Sequence, residues 1–435
     1  MKIKQRPDPQ VQRPENSSPN GVTTAAEMYE VQSSYVRYNQ RDNMGSRVYW
    51  DPAAGEARAS LKTKQYQLID KGRRGYDRPA WSLDAAADSL LTLLNFSKNQ
   101  SDQGATSWQS NLPPGPGQRW EASAKEASKV VRRAASVFGA DQAGIARLDR
   151  RWVYSHYFDR TTVETHPIKF SDEPGFEEYD APICLEDGTR VIPKEMQYVV
   201  VMLHEWPGGS KAAEYAPTLL TEAFSTMAYA KFAPTVWMLA EFIRGLGYHA
   251  IPCGNDMALS IPLAVDAGLG QLGRHSNLIN PKIGSRLRIS KVITDLPLEP
   301  DGARDSGITE FCDICLKCTR KCGAGAIPTG ERSYQPNNEC NTTGVLQWMV
   351  DAKKCMGYQN RVGTTCSNCT RTCPWTKSTH WVHAVARVSI KHFRWRWLNR
   401  FWLWIDDVLS YGKYNKKPDE FWADSGRSSG KKQSG

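Results

Sequence analysis

Nine of the chain's eleven cysteines fall between Cys312 and Cys373, and eight of them, all but Cys340, have the spacing of thiolate ligands to iron. The first group runs Cys312-x2-Cys315-x2-Cys318-x3-Cys322. In such a run the tight turns point three thiolates at one [4Fe-4S] cube and send the fourth to a second cube. The second group runs Cys355-x10-Cys366-x2-Cys369-x3-Cys373-Pro374 and keeps the end of the same pattern. Gly363 stands where a full run would begin, so Cys355 takes that place from upstream. Two clusters then share out as Cys312, Cys315, Cys318 with Cys373, and Cys355, Cys366, Cys369 with Cys322. Structural zinc and disulfides are the competing readings. Zinc uses Cys-x2-Cys knuckles in fours and has no use for the reciprocal x3 cysteine. Cys184, Cys253 and Cys340 remain over and read as small buried apolar residues.

Two clusters form a wire for single electrons, and the rest of the chain must supply its terminus. With 435 residues there is room for two or three domains. The content of 40% hydrophobic and 23% charged residues is that of an ordinary globular protein. No stretch approaches 18 consecutive apolar residues, and Met1 to Val22 has no apolar core of a signal peptide. Arg73-Arg74 is not followed by a hydrophobic segment, so a cytoplasmic location is expected; the alternative is a membrane-associated periplasmic face after removal of a leader. The net charge of +10 is uneven: from Thr376 onward seven Lys and five Arg stand against five acids, together with six of the fifteen Trp. Such a tail suits nucleic acid or an anionic membrane surface, but the commoner arrangement is an amphipathic element docked on its own protein.

Along the chain, residues 1–45 read as disordered. Helices are expected over Leu83–Leu94 and over Ala122–Phe138, the latter with Val130, Val131, Ala134 and Val137 on its apolar face. A Gly/Pro/Ser-rich loop, Gly104–Gly117, separates them. Gln142–Leu148, Trp152–His156, Tyr198–Leu203, His249–Pro252 and Arg286–Ile293 read as strands. Ala216–Tyr229 reads as a helix, with Pro234 opening another that Gly245 closes. Gly268-x-Gly270-x-x-Gly273 matches a dinucleotide fingerprint as a string. A helix-like segment, Ala258–Ala267, precedes it where the phosphate-binding geometry needs a strand, so NAD is not expected. The histidines form no metal-binding pair, and a corrinoid or a flavin is the economical redox terminus.

At this point the chain resembles the cobalamin-dependent reductive dehalogenases. The resemblance is carried by Cys253-Gly254-Asn255-Asp256, Gly268-Leu-Gly-Gln-Leu-Gly-Arg274, Leu278-Ile-Asn-Pro281, Gly284, Arg286-x-Arg288 and Thr294-Asp295-Leu-Pro-Leu298, with Ile405-Asp406-Asp407 and Tyr411-Gly412-Lys413 in the tail. It runs from about Arg47 to Trp422. It implies an α/β (α+β) fold: a nitroreductase-like core holding base-off cobalamin, with a ferredoxin-like domain of two [4Fe-4S] clusters. The expected domains are 46–135, covering the active site; 136–300, the cobalamin core; 301–376, the cluster domain; and 377–435, a basic segment packed on the core. Tyr229 is the implied proton donor, Arg288 the cation beside it, with Arg286 its competitor, and Asn255 a pocket amide. Gly268, Gly270, Gly273, Arg274, Asn277, Leu278 and Pro281 are the implied cobalamin contacts. A phenol with a pKa of about 10 is a poor acid at neutral pH unless a neighbouring cation stabilises its anion. Trp348 and Tyr358 are candidates for the pocket or the electron path. The expected partners are an organohalide and an external low-potential donor (ferredoxin, flavodoxin or reductase), without nucleic acid; a membrane anchor protein and a homodimer remain open. The rival readings are an epoxyqueuosine reductase-like enzyme acting on transfer RNA and a non-catalytic electron-transfer or corrinoid-handling protein.

Overall fold

A computed structural model describes residues 23–94, 104–110, 118–377, 381–409 and 417–423. Tyr411-Gly412-Lys413, residues 1–22 and much of the loop Gly104–Gly117 lie outside the described residues.

The first helices are α1 (Ala25–Met28), α2 (Met44–Trp50), α3 (Pro52–Asp70), α4 (Arg78–Leu93) and α5 (Ala124–Val137). Strands β1 (Gln142–Arg147), β2 (His156–Phe158), β3 (Thr165–Phe170), β4 (Ile183–Cys184), β5 (Arg190–Ile192) and β6 (Tyr198–Glu205) lead into the long helix α6 (Leu219–Gly245). Then come β7 (Ala250–Cys253), α7 (Ser260–Asp266), β8 (Gln271–Leu272), β9 (Leu278–Ile279) and β10 (Leu287–Thr294). The chain ends in α8 (Ile308–Cys315), α9 (Lys317–Arg320), α10 (Ala352–Val362), α11 (Asn368–Thr372), α12 (Trp381–Phe393), α13 (Arg396–Val408) and α14 (Pro418–Ala423). No described helix is long and apolar enough to cross a membrane.

The main sheet has the order β1-β6-β10-β7, and each neighbouring pair is antiparallel. The fold is mixed α/β, and this main sheet lacks the parallel crossovers that alternating strands and helices suggest. Its central strand β6 is apolar on both faces. Val199, Val201 and Leu203 pack with α7 residues such as Leu263 and Val265, while Val200 and Met202 pack beneath Val131 of α5 and Phe232, Val236 and Leu239 of α6. A smaller sheet, β2-β3-β5-β4, flanks it.

Several expectations shift. Residues 23–45 are folded: Thr24 and Glu27 form a capping box, and Ala25 and Tyr29 are buried. The Ala25 amide donates to Asp266 Oδ1 at 2.6 Å, and Tyr29 Oη accepts from the Leu272 amide at 2.7 Å. Long-range partners of this kind leave no mark in local composition. Trp152 ends a 3-10 turn capped by Asp149, so the expected strand Trp152–His156 moves to β2. The buried face of α5 is Ala127, Ser128, Val131 and Ala135, and Val137 is exposed. Pro234 lies inside α6 instead of opening a second helix. An interior proline costs about 3 kcal/mol. Burial of Phe232, Val236, Leu239 and Ile243 against the sheet offsets this, at about 1.5–3 kcal/mol for each large apolar side chain.

Candidate active site

The pleat of β10 sorts its side chains by period two. Val292 points to the face covered by α6, and Ile289 and Ile293 point to the other. Arg288, in step with Ser290 and Val292, therefore meets α6, where Ser225 and Tyr229 stand one turn apart. Arg288 Nη2 donates to Ser225 Oγ, and the guanidinium carbon lies 4.4 Å from the Tyr229 ring centroid and 5.7 Å from that of Trp206. Asn255, just past β7, donates from Nδ2 to Tyr229 Oη at 3.3 Å. Its loop is pinned from the opposite face of β10, where buried Lys291 gives hydrogen bonds to the Gly254 carbonyl (2.5 Å) and to Ser260 Oγ (3.0 Å). Tyr229, Arg288 and Asn255, distant in sequence, thus form one group. Arg286 is a separate, structural cation. It pairs with Glu205 at 2.7 Å and donates to the carbonyls of Ile283 and Thr376.

These three residues line a cavity of about 770 Å³, near the top of the range of about 300–1,000 Å³ usual for small-molecule sites. The same cavity is lined also by Cys322, Cys355, Cys366 and Cys369, together with Tyr358. Cys312, Cys315, Cys318 and Cys373 line a second, smaller cavity. The eight thiols are thus divided into the two groups of four that the spacing requires. Both groups are built the same way: Leu316 and Ser367 adopt left-handed backbone directly after Cys315 and Cys366, and each begins a short helix carrying Cys318 or Cys369. Burial pushes the free thiols up, Cys315 and Cys369 to about 12 and Cys366 to about 11. Backbone amides at Lys317, Asn368 and Thr370 pull the other way, as donors to thiolate would.

Of the implied cobalamin contacts, Asn277 and Leu278 line the large cavity; Gly268, Gly270, Gly273, Arg274 and Pro281 do not. Gly270 is packed against protein: a Cβ there would stand 2.4 Å from the Ile279 carbonyl oxygen. Arg274 spends its donors on the carbonyls of Cys312, Pro328 and Gly330, bracing the β8–β9 hairpin against the cysteine region. Pro281 sits in a turn closed by Asn280, whose Oδ1 accepts from the amides of Lys282 and Ile283. Trp348 is buried in the core beneath Arg274 and does not reach the cavity.

Two further residues that no motif singles out line the large cavity: Trp206, one residue past β6, and His275, which borders both cavities. Burial holds His275 neutral, with its pKa lowered to about 4. Around the cavity, Trp206 Nε1, His275 Nε2, Arg288 Nε, Thr365 Oγ1 and Asn368 Oδ1 are buried without a protein partner. Such atoms are costly unless something fills the space and bonds them. A corrinoid, with amide side chains that both donate and accept, fits this lining.

Fold and site together place a phenol–guanidinium pair and four thiols around one large cavity. Residues 102–298 match the family model described as reductive dehalogenase subunit. The tetrachloroethene reductive dehalogenase of Sulfurospirillum multivorans is 36% identical over 293 residues, covering 66% of this chain and 57% of that protein. That of Desulfitobacterium hafniense is 36% identical over 295 residues, covering 63% and 52%. The catabolic reductive dehalogenase NpRdhA, solved in complex with 3-bromo-4-hydroxybenzoic acid, shares the fold with a TM-score of 0.62 at 21% identity, covering 88% of this chain and 48% of that one. This chain is thus similar to the reductive dehalogenases over part of its sequence and in its fold, and it spans a little over half the length of the curated relatives it matches.

Proposed function

We propose that the chain is a corrinoid- and iron-sulfur-dependent reductive dehalogenase, replacing a carbon-bound halogen by hydrogen. The observation that carries this reading is the one cavity that Tyr229, Asn255 and Arg288 share with four cysteine thiols. Support comes also from the tetrachloroethene-reducing relatives and from a solved structure described as illuminating B12-dependent dehalogenation. In this reading the main sheet with α5 to α7 is the nitroreductase-like core, 301–376 the ferredoxin-like domain, and 23–50 part of the cavity wall through Tyr29 and Met44.

The overall change takes one organohalide, two electrons and one proton to the hydrocarbon and halide. Base-off cobalamin, when bound, supplies the low-potential cobalt at which the carbon–halogen bond is reduced. The protein's own residues do the remaining work. Tyr229 Oη holds the proton for the carbon, Asn255 orients that hydroxyl, and Arg288 offsets the anion left when the proton departs. Cys322, Cys355, Cys366 and Cys369 would hold a cluster beside the cavity, and Cys312, Cys315, Cys318 and Cys373 a second one beyond it; together they would supply a path for single electrons from an external low-potential donor. Among the described residues no three His, Cys, Asp or Glu side chains converge on a single ion.

The test is anaerobic reconstitution with iron, sulfide and cobalamin, followed by metal analysis, low-temperature EPR and halide release from a panel of organohalides. About eight irons per chain, a base-off cobalt signal and released halide are expected. Tyr229→Phe should retain the cobalt signal and lose turnover by about 10²–10⁴-fold, the usual contribution of a positioned general acid. Absence of bound corrinoid, or a Tyr229→Phe variant as active as the parent, would overturn the reading.

A further inference from the structure

The C-terminal helices present an apolar face to solvent. The inner side of α13 carries Asn399, Trp402, Leu403 and Asp406, which pack on the cysteine region; Lys317 and Lys377 both pair with Asp406. Its outer side should be polar if water were its only neighbour. Instead Trp397, Phe401, Trp404 and Val408 recur there at helical spacing, and Trp397 and Trp404 are 63% and 62% exposed. Trp395 stacks on Trp397 with centroids 5.6 Å apart and extends the stripe back toward α12. Exposed Arg396 and Arg400 each precede a stripe aromatic by one residue, so they border it.

From this arrangement we infer that α12 and α13 form a peripheral docking surface for an anionic lipid bilayer. Tryptophan and phenylalanine settle at the headgroup boundary, and flanking Arg or Lys pair with acidic headgroups. Charge selects this occupant over a second copy of the chain. An isologous pairing through the stripe would set its bordering arginines against their own copies, in a chain of net charge +10. Nothing in this inference depends on the proposed reaction.

The full chain is mixed with vesicles of phosphatidylcholine alone or of an equal mixture with phosphatidylglycerol, at low and high salt, and bound protein is separated by flotation. Binding is expected only to the mixed vesicles and weakens with salt. Arg396→Glu/Arg400→Glu should weaken it roughly thirtyfold or more, at about fivefold for each basic charge lost near the surface. Trp397→Ser/Trp404→Ser should abolish it while moving the thermal midpoint little, because most of each side chain stands in solvent and its ring contacts are with other exposed aromatics. The inference fails if neither vesicle binds, if both bind alike, or if the tryptophan variant binds as the parent does. It also fails if size exclusion shows a dimer that the tryptophan variant dissolves and no vesicle binding accompanies it.

Discussion

Arg286 and Arg288 show how much one position in a strand decides. Both sit at the start of the same basic segment, but Arg286 lies before β10 and is consumed by Glu205 and two carbonyls, whereas Arg288 lies on the face that meets Tyr229. A second residue carries a pH signature. Asp266 bonds the Ala25 amide and Trp152 Nε1, and burial pushes its carboxyl up to about 7. An acid raised on folding binds more protons in the native state, so its contribution to stability is present at low pH and declines as pH climbs from about 4 to about 7. Asp266→Asn removes that titration. Denaturant midpoints taken at pH 5 and pH 8 should show the parent's stability, relative to the variant, falling by a few kcal/mol, the order set by about 1.4 kcal/mol per pKa unit. A constant difference between the two proteins would show that Asp266 folds already ionised.

At the scale of elements, the cysteine region is a structure repeated twice: a cysteine, a left-handed residue, and a short helix bearing the next cysteine. Cys373 leaves the second run to line the smaller cavity with the first, and Cys322 leaves the first run to line the large one with the second. Substitutions at the two ends therefore have distinct consequences. Cys373→Ser should remove the outer cluster and Cys355→Ser the inner one, each leaving about four irons. Only Cys355→Ser should perturb the EPR of bound cobalt directly, since Cys355 shares its cavity with Tyr229. Loss of the same cluster in both variants would mean that the thiols are shared differently. The long helix α6 makes a related point: its proline is tolerated because the helix is held from outside, by the sheet.

The whole molecule is joined where the main sheet meets the end of the second cysteine run. Gly284 has φ of +67°, and a Cβ there would lie 2.5 Å from Thr376 Cα and from the Trp375 carbonyl oxygen. Beside it Ser285 and Arg286 hydrogen-bond to Thr376. Gly284→Ala should cost about 2–5 kcal/mol, combining the left-handed penalty with overpacking, and calorimetry should record a lowered unfolding temperature. An unchanged midpoint would show that the seam is slack. Alongside this tight seam, the same region leaves the aromatic outer face of α13 uncovered.

Short-range chemistry was legible without coordinates. The division of eight cysteines into two groups of four, the apolar run of β6, and the proximity of Tyr229, Asn255 and Arg288 could all be expected from residue types, spacing and family resemblance. Each of these signals is local, or lies in a motif whose order along the chain is itself informative. What only the tertiary structure decided are the long-range contacts. The glycines of Gly268-x-Gly270-x-x-Gly273 serve a hairpin and a close backbone approach, Arg274 braces the cysteine region, and residues 23–45 fold because Asp266 and Leu272 receive them. Trp206 and His275 enter the cavity wall from elements whose sequence carries no pattern for it. A side chain's type and neighbours along the chain fix what it can bond, while the packing of elements far apart in sequence fixes what it meets.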